Sequence, residues 1–229
     1  MKCEIKGLRL AAAATLVALL LPAGVSAAAQ SGTYVAVDVG QGSYDLTQGE
    51  LDGTAQSALI GTGLSIVNLS SNLDKKGTGF GVAFGYRFSP YLAAEAAYLD
   101  LGKAKWNASG TVTDGINSSP MDIALSFKSS GPALSLLGSV PVGTQFSLDA
   151  RAGAFFSKTK LSLTASAQGV SDTESDSDKH TGLLYGIGGT WSFTPVAAVR
   201  VGYTVYKEAV YGDRDVKQFS AGFLYSFTH

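Results

Sequence analysis

The sequence predicts an all-β fold, a closed eight-stranded antiparallel up-and-down transmembrane β-barrel. Of its 229 residues 45% are hydrophobic and 15% are charged, yet the one long apolar run lies at the N-terminus. In the later segments large apolar residues recur at every second position, the period of a strand with one face in lipid. A membrane chain without spanning helices satisfies its backbone polar groups by closing a sheet on itself.

Residues 1–29 have the composition of a cleaved secretory signal peptide. Three basic residues come first, an apolar run covers 8–21, and small residues precede the expected cleavage after Ala27 or Ala29. The apolar run is shorter than the roughly 20 residues of a spanning helix, which disfavours an uncleaved anchor. The barrel is therefore expected over residues 30–229.

Removal of this signal changes what the mature chain can do. Cys3, the one cysteine, is lost, so neither a disulfide nor a thiolate metal site is expected. The 17 basic and 18 acidic residues become 14 and 17 without Lys2, Lys6, Arg9 and Glu4, a net charge of −3. A mildly acidic domain argues against a nucleic-acid partner.

The first four predicted strands are 32–40, 78–89, 91–102 and 132–140. The first alternates three valines with smaller or polar residues. The second is the clearest, because four aromatic residues and a valine oppose a face of glycines, an alanine and Arg87. The third alternates leucine, alanine and tyrosine with a face that carries one glutamate, and the fourth sets apolar residues against serines.

The last four predicted strands are 145–154, 183–193, 197–206 and 219–227. The fifth and seventh place apolar residues opposite faces that carry charged residues. The sixth opposes large apolar residues with glycine, threonine and serine, and the eighth has aromatic residues along one face. The total is an even number, as closure by antiparallel hairpins requires.

The connections between these strands are of two kinds. Three are tight turns, expected in the periplasm together with both termini: 89–91, 142–144 and 194–196. Four are longer and polar, and are expected as extracellular loops near 42–77, 107–122, 165–179 and 209–215. Within the first of these, apolar spacing over 50–64 predicts a short helix above the barrel mouth.

Aromatic residues near the strand ends predict girdles at the headgroup level. They are Tyr91, Trp106, Phe146, Trp191, Phe193, Tyr225 and Phe227.

The segment TGFGVAFGYRFSPYLAAEAAYLDLG, residues 78–102, resembles the second hairpin of OmpA-like outer-membrane barrels, and the final strand is similar as well. The resemblance extends to the barrel domain, without a counterpart of the periplasmic peptidoglycan-binding domain. It implies a monomeric, multi-pass protein of a Gram-negative outer membrane. Outer-membrane lipids and lipopolysaccharide would be its neighbours, and an extracellular ligand could bind the loops.

The resemblance also implies insertion by the outer-membrane assembly machinery after escort by periplasmic chaperones. The final strand would carry the C-terminal assembly signal, with Phe223, Tyr225 and Phe227 on one face.

The alternation directs six charged side chains into the lumen, and their formal charges cancel. They are Asp38, Arg87, Glu95, Asp149, Arg151 and Arg200. Isolated charges in a narrow lumen cost several kcal/mol each, so ion pairing is expected. A structural plug is preferred to a gated ion path because an eight-stranded lumen is nearly filled by side chains.

The sequence argues against catalysis and against metal binding. Ser177, Asp178 and His180 have the residue types of a hydrolytic site, but they lie in a polar segment and not at an inward rim position. Acidic residues at every second position from Asp172 to Asp178 lack the glycine of a calcium loop. We therefore expect no cofactor or metal.

The sequence predicts a non-enzymatic barrel with a membrane-structural or adhesion-like surface role. A small nonspecific porin or gated channel is the alternative. An enzyme that modifies lipid A or phospholipid is a third reading.

Overall fold

A computed structural model describes residues 31–60, 64–167, 170–210 and 214–227. The predicted signal peptide, residues 1–29, lies outside the described residues. Among the residues described, no helix has the length and hydropathy needed to cross a membrane.

Within these residues the chain forms nine strands and one helix. In order they are β1 (Gly32–Tyr44), α1 (Gln48–Ile60), β2 (Ser65–Asp74), β3 (Lys76–Ser89), β4 (Leu92–Thr113), β5 (Ser118–Val142), β6 (Phe146–Ala167), β7 (Val170–Ser192), β8 (Ala197–Val210) and β9 (Arg214–Ser226).

Eight of the strands form a ring by antiparallel pairing. The ring runs β1, β3, β4, β5, β6, β7, β8 and β9, and β9 pairs with β1 from Tyr34↔Ser226 to Tyr44↔Val216. β2 lies outside the ring, on the edge of β4 beyond the end of β3. The predicted fold class is confirmed, with one additional strand.

The predicted alternation holds around the ring. In β3, Phe80, Val82 and Phe84 are about half exposed on the outer face, whereas Gly81 and Ala83 are buried. Because paired residues point to the same side of a sheet, the register carries this division onto both neighbouring strands. The outer face is an apolar belt, which we call the lipid belt.

Two predicted loop extents are wrong. Strands β4 and β5 continue through most of 107–122, so residues 114–117 alone connect them. Likewise 165–179 lies largely in β6 and β7, which remain paired as far as Ala167↔Val170. The physical reason is that these hairpin ends extend past the lipid belt. Away from lipid, a strand is not required to alternate apolar and polar residues, so polar strands resemble loops.

The other two predicted loops also contain regular structure. Between 42 and 77 lie α1 and β2, so the predicted short helix is confirmed. The connection near 209–215 is shorter than expected, because β8 runs to Val210 and β9 begins at Arg214.

The barrel is much taller on one side. β7 pairs with β8 only from Leu184 onward, so residues 170–183 have β6 as their partner among the described strands. Fourteen residues of strand extend roughly 45 Å. We call β2 together with the corresponding outer halves of β4, β5, β6 and β7 the extended sheet.

A bulge in β4 reverses which residues face inward. The register with β5 shifts between Asp100 and Lys103, and Gly102 has φ +85°. Because of the extra residue, each side chain that follows lies on the face opposite to the one that the earlier alternation predicts. Trp106 is therefore buried at 2% exposure, and its predicted place in an aromatic girdle is wrong.

Candidate functional site

The centre of the lumen is an ion-pair network built around Arg200. Its Nε donates to Asp38 Oδ1 at 2.8 Å, and its Nη2 donates to Asp38 Oδ2 at 2.5 Å. Nη1 donates to Glu95 Oε1 at 2.6 Å. The planar guanidinium thus holds both oxygens of one carboxylate and one oxygen of a second, which suits arginine better than lysine.

Glu95 connects this arginine to a second one across the lumen. Its side chain is 1% exposed; Oε2 accepts from Arg151 Nη2 at 3.1 Å, and Oε1 also accepts from the Tyr34 hydroxyl at 2.9 Å. Asp38, Glu95, Arg151 and Arg200 come from β1, β4, β6 and β8, so the network spans the ring. Two carboxylates and two arginines give it no net charge.

The other two predicted lumen charges lie beside this network without joining its ion pairs. The guanidinium of Arg87 stands 5.7 Å from the centre of the Tyr34 ring. Asp149 accepts hydrogen bonds from Ser147 at 3.0 Å and Thr190 at 2.5 Å. All six predicted residues nevertheless line one internal cavity of about 50 Å³, which has room for only a few water molecules.

Apolar layers lie on both sides of the network. Towards the short turns, Tyr34, Leu137 and Leu224 belong to one buried cluster. Towards the extended sheet, a larger buried cluster includes Phe155 and Tyr206, whose rings meet edge to face at 5.3 Å. The interior is therefore filled by side chains at three successive levels.

Two glycines make room for the network. A Cβ on Gly222 would lie 2.1 Å from Asp38 Oδ1, and a Cβ on Gly85 would lie 2.2 Å from the Tyr34 ring. Gly222 is the register partner of both Asp38 and Arg200. Inward glycines opposite large polar residues were the sequence signal that could have located the centre of the network.

The helix α1 is attached to the barrel mouth by polar contacts. Asp52 accepts from Trp106 Nε1 at 3.1 Å and from Ser71 Oγ at 2.9 Å, and Glu50 pairs with Arg214 at 2.9 Å. Hydrogen bonds from Thr47 and then from Arg214 hold the pKa of Glu50 below its usual value. Leu51 packs on the apolar cluster beneath, so α1 covers part of the mouth.

Exposed aromatic side chains cluster at the short-turn end of the barrel. The centre of the Trp191 ring lies 6.1 Å from that of Phe146 and 6.0 Å from that of Phe193, and all three rings are exposed on the outer face. The centre of the Phe193 ring lies 6.1 Å from that of Phe223 on β9. The predicted assembly residues Phe223, Tyr225 and Phe227 are likewise 42–47% exposed.

The residue types considered for catalysis do not assemble. His180 Nε2 contacts Asp178 Oδ2 at 3.0 Å, but Ser177 and His180 are three positions apart on β7 and so project to opposite faces. The acidic residues from Asp172 to Asp178 are distributed along one face of the same strand rather than around a centre.

A ring of lipid-facing strands around a filled, ion-paired interior defines an integral β-barrel membrane protein. The family model described as the OmpA-like transmembrane domain matches residues 28–227, and the chain belongs to that family. It is a multi-pass β-barrel of the Gram-negative outer membrane.

Solved structures with similar folds include three outer-membrane proteins. Ail of Yersinia pestis, in complex with the heparin analogue sucrose octasulfate, is 15% identical, with 86% of this chain and 99% of that chain covered and a TM-score of 0.44. OprG of Pseudomonas aeruginosa is 13% identical, with 88% and 99% covered and a TM-score of 0.47. The Escherichia coli protease OmpT is 12% identical, with 90% and 99% covered and a TM-score of 0.42. The search of curated protein sequences found no match.

Proposed function

We propose that this protein is a monomeric, non-enzymatic barrel that stabilises the outer membrane and presents the extended sheet at the cell surface as an adhesion-like interaction surface. The extended sheet carries the proposal, because it uses more strand than crossing a bilayer needs. The short turns and both described chain ends lie at the opposite end, where Phe227 N donates to Thr33 O at 2.9 Å. That end would face the periplasm.

The edges of the extended sheet support a monomer. Asp172, Glu174 and Asp176 place exposed charge along the β7 edge. On the opposite edge β2 contains an irregularity between Val67 and Ser70. Charged residues and bulges are features that hinder edge-to-edge pairing of sheets.

A shortened hairpin tests the surface role. Residues 163–174 are replaced by Asn-Gly, a two-residue turn suited to hairpins, so that the ring remains unchanged. Bacteria of a non-adherent strain that display the intact protein should bind immobilised host cells better than the strain alone, and the shortened variant should lose most of that gain. Equal adherence of the two variants would refute the surface role of this hairpin.

The filled lumen supports a structural plug, and the cavity beside Arg200 favours a gated path as the second candidate. Planar-bilayer recordings separate them. If the lumen is plugged, recordings of the purified barrel should show no steady large channels, and recordings of Arg200→Met should show at most brief openings. Steady conductance of the unmodified protein would establish the channel.

The exposed aromatic residues at the end of the chain support recognition by the assembly machinery. Tyr225→Ala combined with Phe227→Ala is expected to slow folding in reconstituted assembly-machinery proteoliposomes, measured by heat-modifiable migration. Tyr203→Ala, on the same outer surface of β8, is the matched control. If both variants assemble at the same rate, these residues are not the signal.

A further inference from the structure

Six exposed lysines lie on the outer surface where β4 to β7 leave the lipid belt. We call them the lysine face: Lys103, Lys105, Lys128, Lys158, Lys160 and Lys179. The bulge at Gly102 contributes to this arrangement, because it turns Lys103 and Lys105 outward.

The register places several of these lysines directly opposite one another. Lys103 pairs with Lys128, Lys128 pairs with Lys160, and Lys158 pairs with Lys179. Side chains of opposed residues share a face and lie about 5 Å apart at their Cβ atoms, and like charges there destabilise a sheet. An arrangement of this kind is stabilised when an anion lies between the ammonium groups.

The protein itself supplies only part of that negative charge. Asp74 is the register partner of Lys105 on this face, and Asp122 lies on the same face opposite Ser109. Within the described residues, the ion pair on this face joins Lys128 Nζ to Asp100 Oδ2 at 2.8 Å. The other oxygen of Asp100 accepts from Gly102 N at 2.9 Å. The acidic residues of β7 at even positions, such as Asp176, project to the mouth side, because Lys179 and Ser177 occupy the outer side.

The surface next to the lysine face is apolar on the side of the lipid belt and rich in amide and hydroxyl groups on the far side. On the side of the lipid belt, four of the lysines share a depression of about 800 Å³ with Phe80, Tyr98, Pro132 and Phe156. On the far side the same outer surface carries amides and hydroxyls, namely Asn72, Asn107, Ser126, Ser162 and Thr164.

We propose that the lysine face binds the phosphate groups of a phosphorylated glycolipid of the outer leaflet, the chemistry of the lipid A part of lipopolysaccharide. Its acyl chains lie against the lipid belt at Tyr98 and Phe156, its phosphates bridge the opposed lysines, and its sugars contact the hydroxyl-rich surface above. This inference rests on the proposed outward orientation of the extended sheet. A soluble polyanion would use the lysines but not the adjoining aromatic depression, and the lipid accounts for both.

The test measures equilibrium binding of bisphosphoryl lipid A to the refolded full barrel in detergent micelles. One variant combines Lys158→Ser, Lys160→Ser and Lys179→Ser. The control combines Lys76→Ser, Lys207→Ser and Lys217→Ser, which removes the same charge from exposed positions on β3, β8 and β9. Heat-modifiable migration establishes that both variants fold.

The lysine-face variant should bind at least about tenfold more weakly, whereas the control should stay within about twofold of the unmodified protein. Removing both lipid phosphates should weaken binding to the unmodified protein by a similar factor, and added salt should reduce the difference. Equal weakening of the two variants, or phosphate-independent binding, would overturn the proposal. Tighter binding of a heparin fragment than of lipid A would assign the face to a soluble polyanion instead.

Surface labelling of a cysteine placed at Asn117 on intact cells tests the orientation separately. If Asn117 is inaccessible while bisphosphoryl lipid A still binds through the lysines, the outward orientation and the outer-leaflet ligand both fail, and only the phosphate-binding chemistry of the face stands.

Discussion

Removing Arg200 tests how the lumen is held together. The residue makes two hydrogen bonds to Asp38 and one to Glu95, and its side chain is 9% exposed. In Arg200→Met, Glu95 keeps Arg151 and Tyr34, but the described contacts leave the Asp38 carboxylate without an ion-pair partner. Breaking a buried pair by removing one member costs about 3–5 kcal/mol. We expect about 3 kcal/mol, because the Asp38 side chain is 16% exposed and retains some hydration.

The measurement is urea-induced unfolding in lipid vesicles, followed by heat-modifiable migration and converted to a free energy of unfolding. The double variant Asp38→Asn with Arg200→Met should recover at least half of the loss, since it no longer leaves an uncompensated carboxylate. Arg87→Met is the matched control, because its described interaction is the approach to the Tyr34 ring; it should cost less than about 1 kcal/mol. The reasoning fails if Arg200→Met stays within 1 kcal/mol of the unmodified protein, or if Arg87→Met is equally damaging.

Three further outcomes are expected. Gly222→Ala should prevent folding or strongly lower the urea midpoint of unfolding, because the added Cβ would lie 2.5 Å from Val37 O. Gly138→Ala, which has open space around it, should leave the midpoint unchanged. Similar midpoints for the two variants would contradict this reasoning. Trp106→Phe should cost about 1 kcal/mol and accelerate hydrogen exchange in α1, and unchanged exchange would count against the contact with Asp52. Because the pKa of Glu50 is lowered, the hydrogen bonds of its carboxylate stabilise the attachment of α1 above the ordinary carboxyl pKa, and this stabilisation is lost as the pH falls through the lowered value. Hydrogen exchange of the α1 amides should therefore rise below about pH 4, and Glu50→Gln should remove that pH dependence.

The part of the fold inside the membrane was predictable because lipid enforces a rule on the sequence. A side chain such as Phe84 must face lipid and its neighbour Gly85 must face a crowded lumen, so the period of two is visible in the residues. The same rule located all six inward charges around one cavity. It did not reveal which of them form ion pairs, because pairing depends on register across the ring.

Outside the membrane the rule no longer applies. The strand from Val170 to Lys179 is rich in serine and acidic residues, and the sequence predicted it as a loop, but its hydrogen bonds to β6 continue without interruption. One extra residue at Gly102 was enough to reverse the direction of Trp106. The lysine face was missed for the same reason. Its signal, lysines alternating with a buried threonine at 158–160, becomes meaningful once that segment is known to be a strand.

The position of β2 has a consequence for which changes the chain can tolerate. The ring is closed by the pairing of β1 with β3 and with β9, whereas β2 pairs with β4 alone among the described strands. The stretch carrying α1 and β2 can therefore be exchanged, lengthened or trimmed without severing any pairing of the ring. Such a segment can change in length and sequence in ways that the strands of the ring cannot.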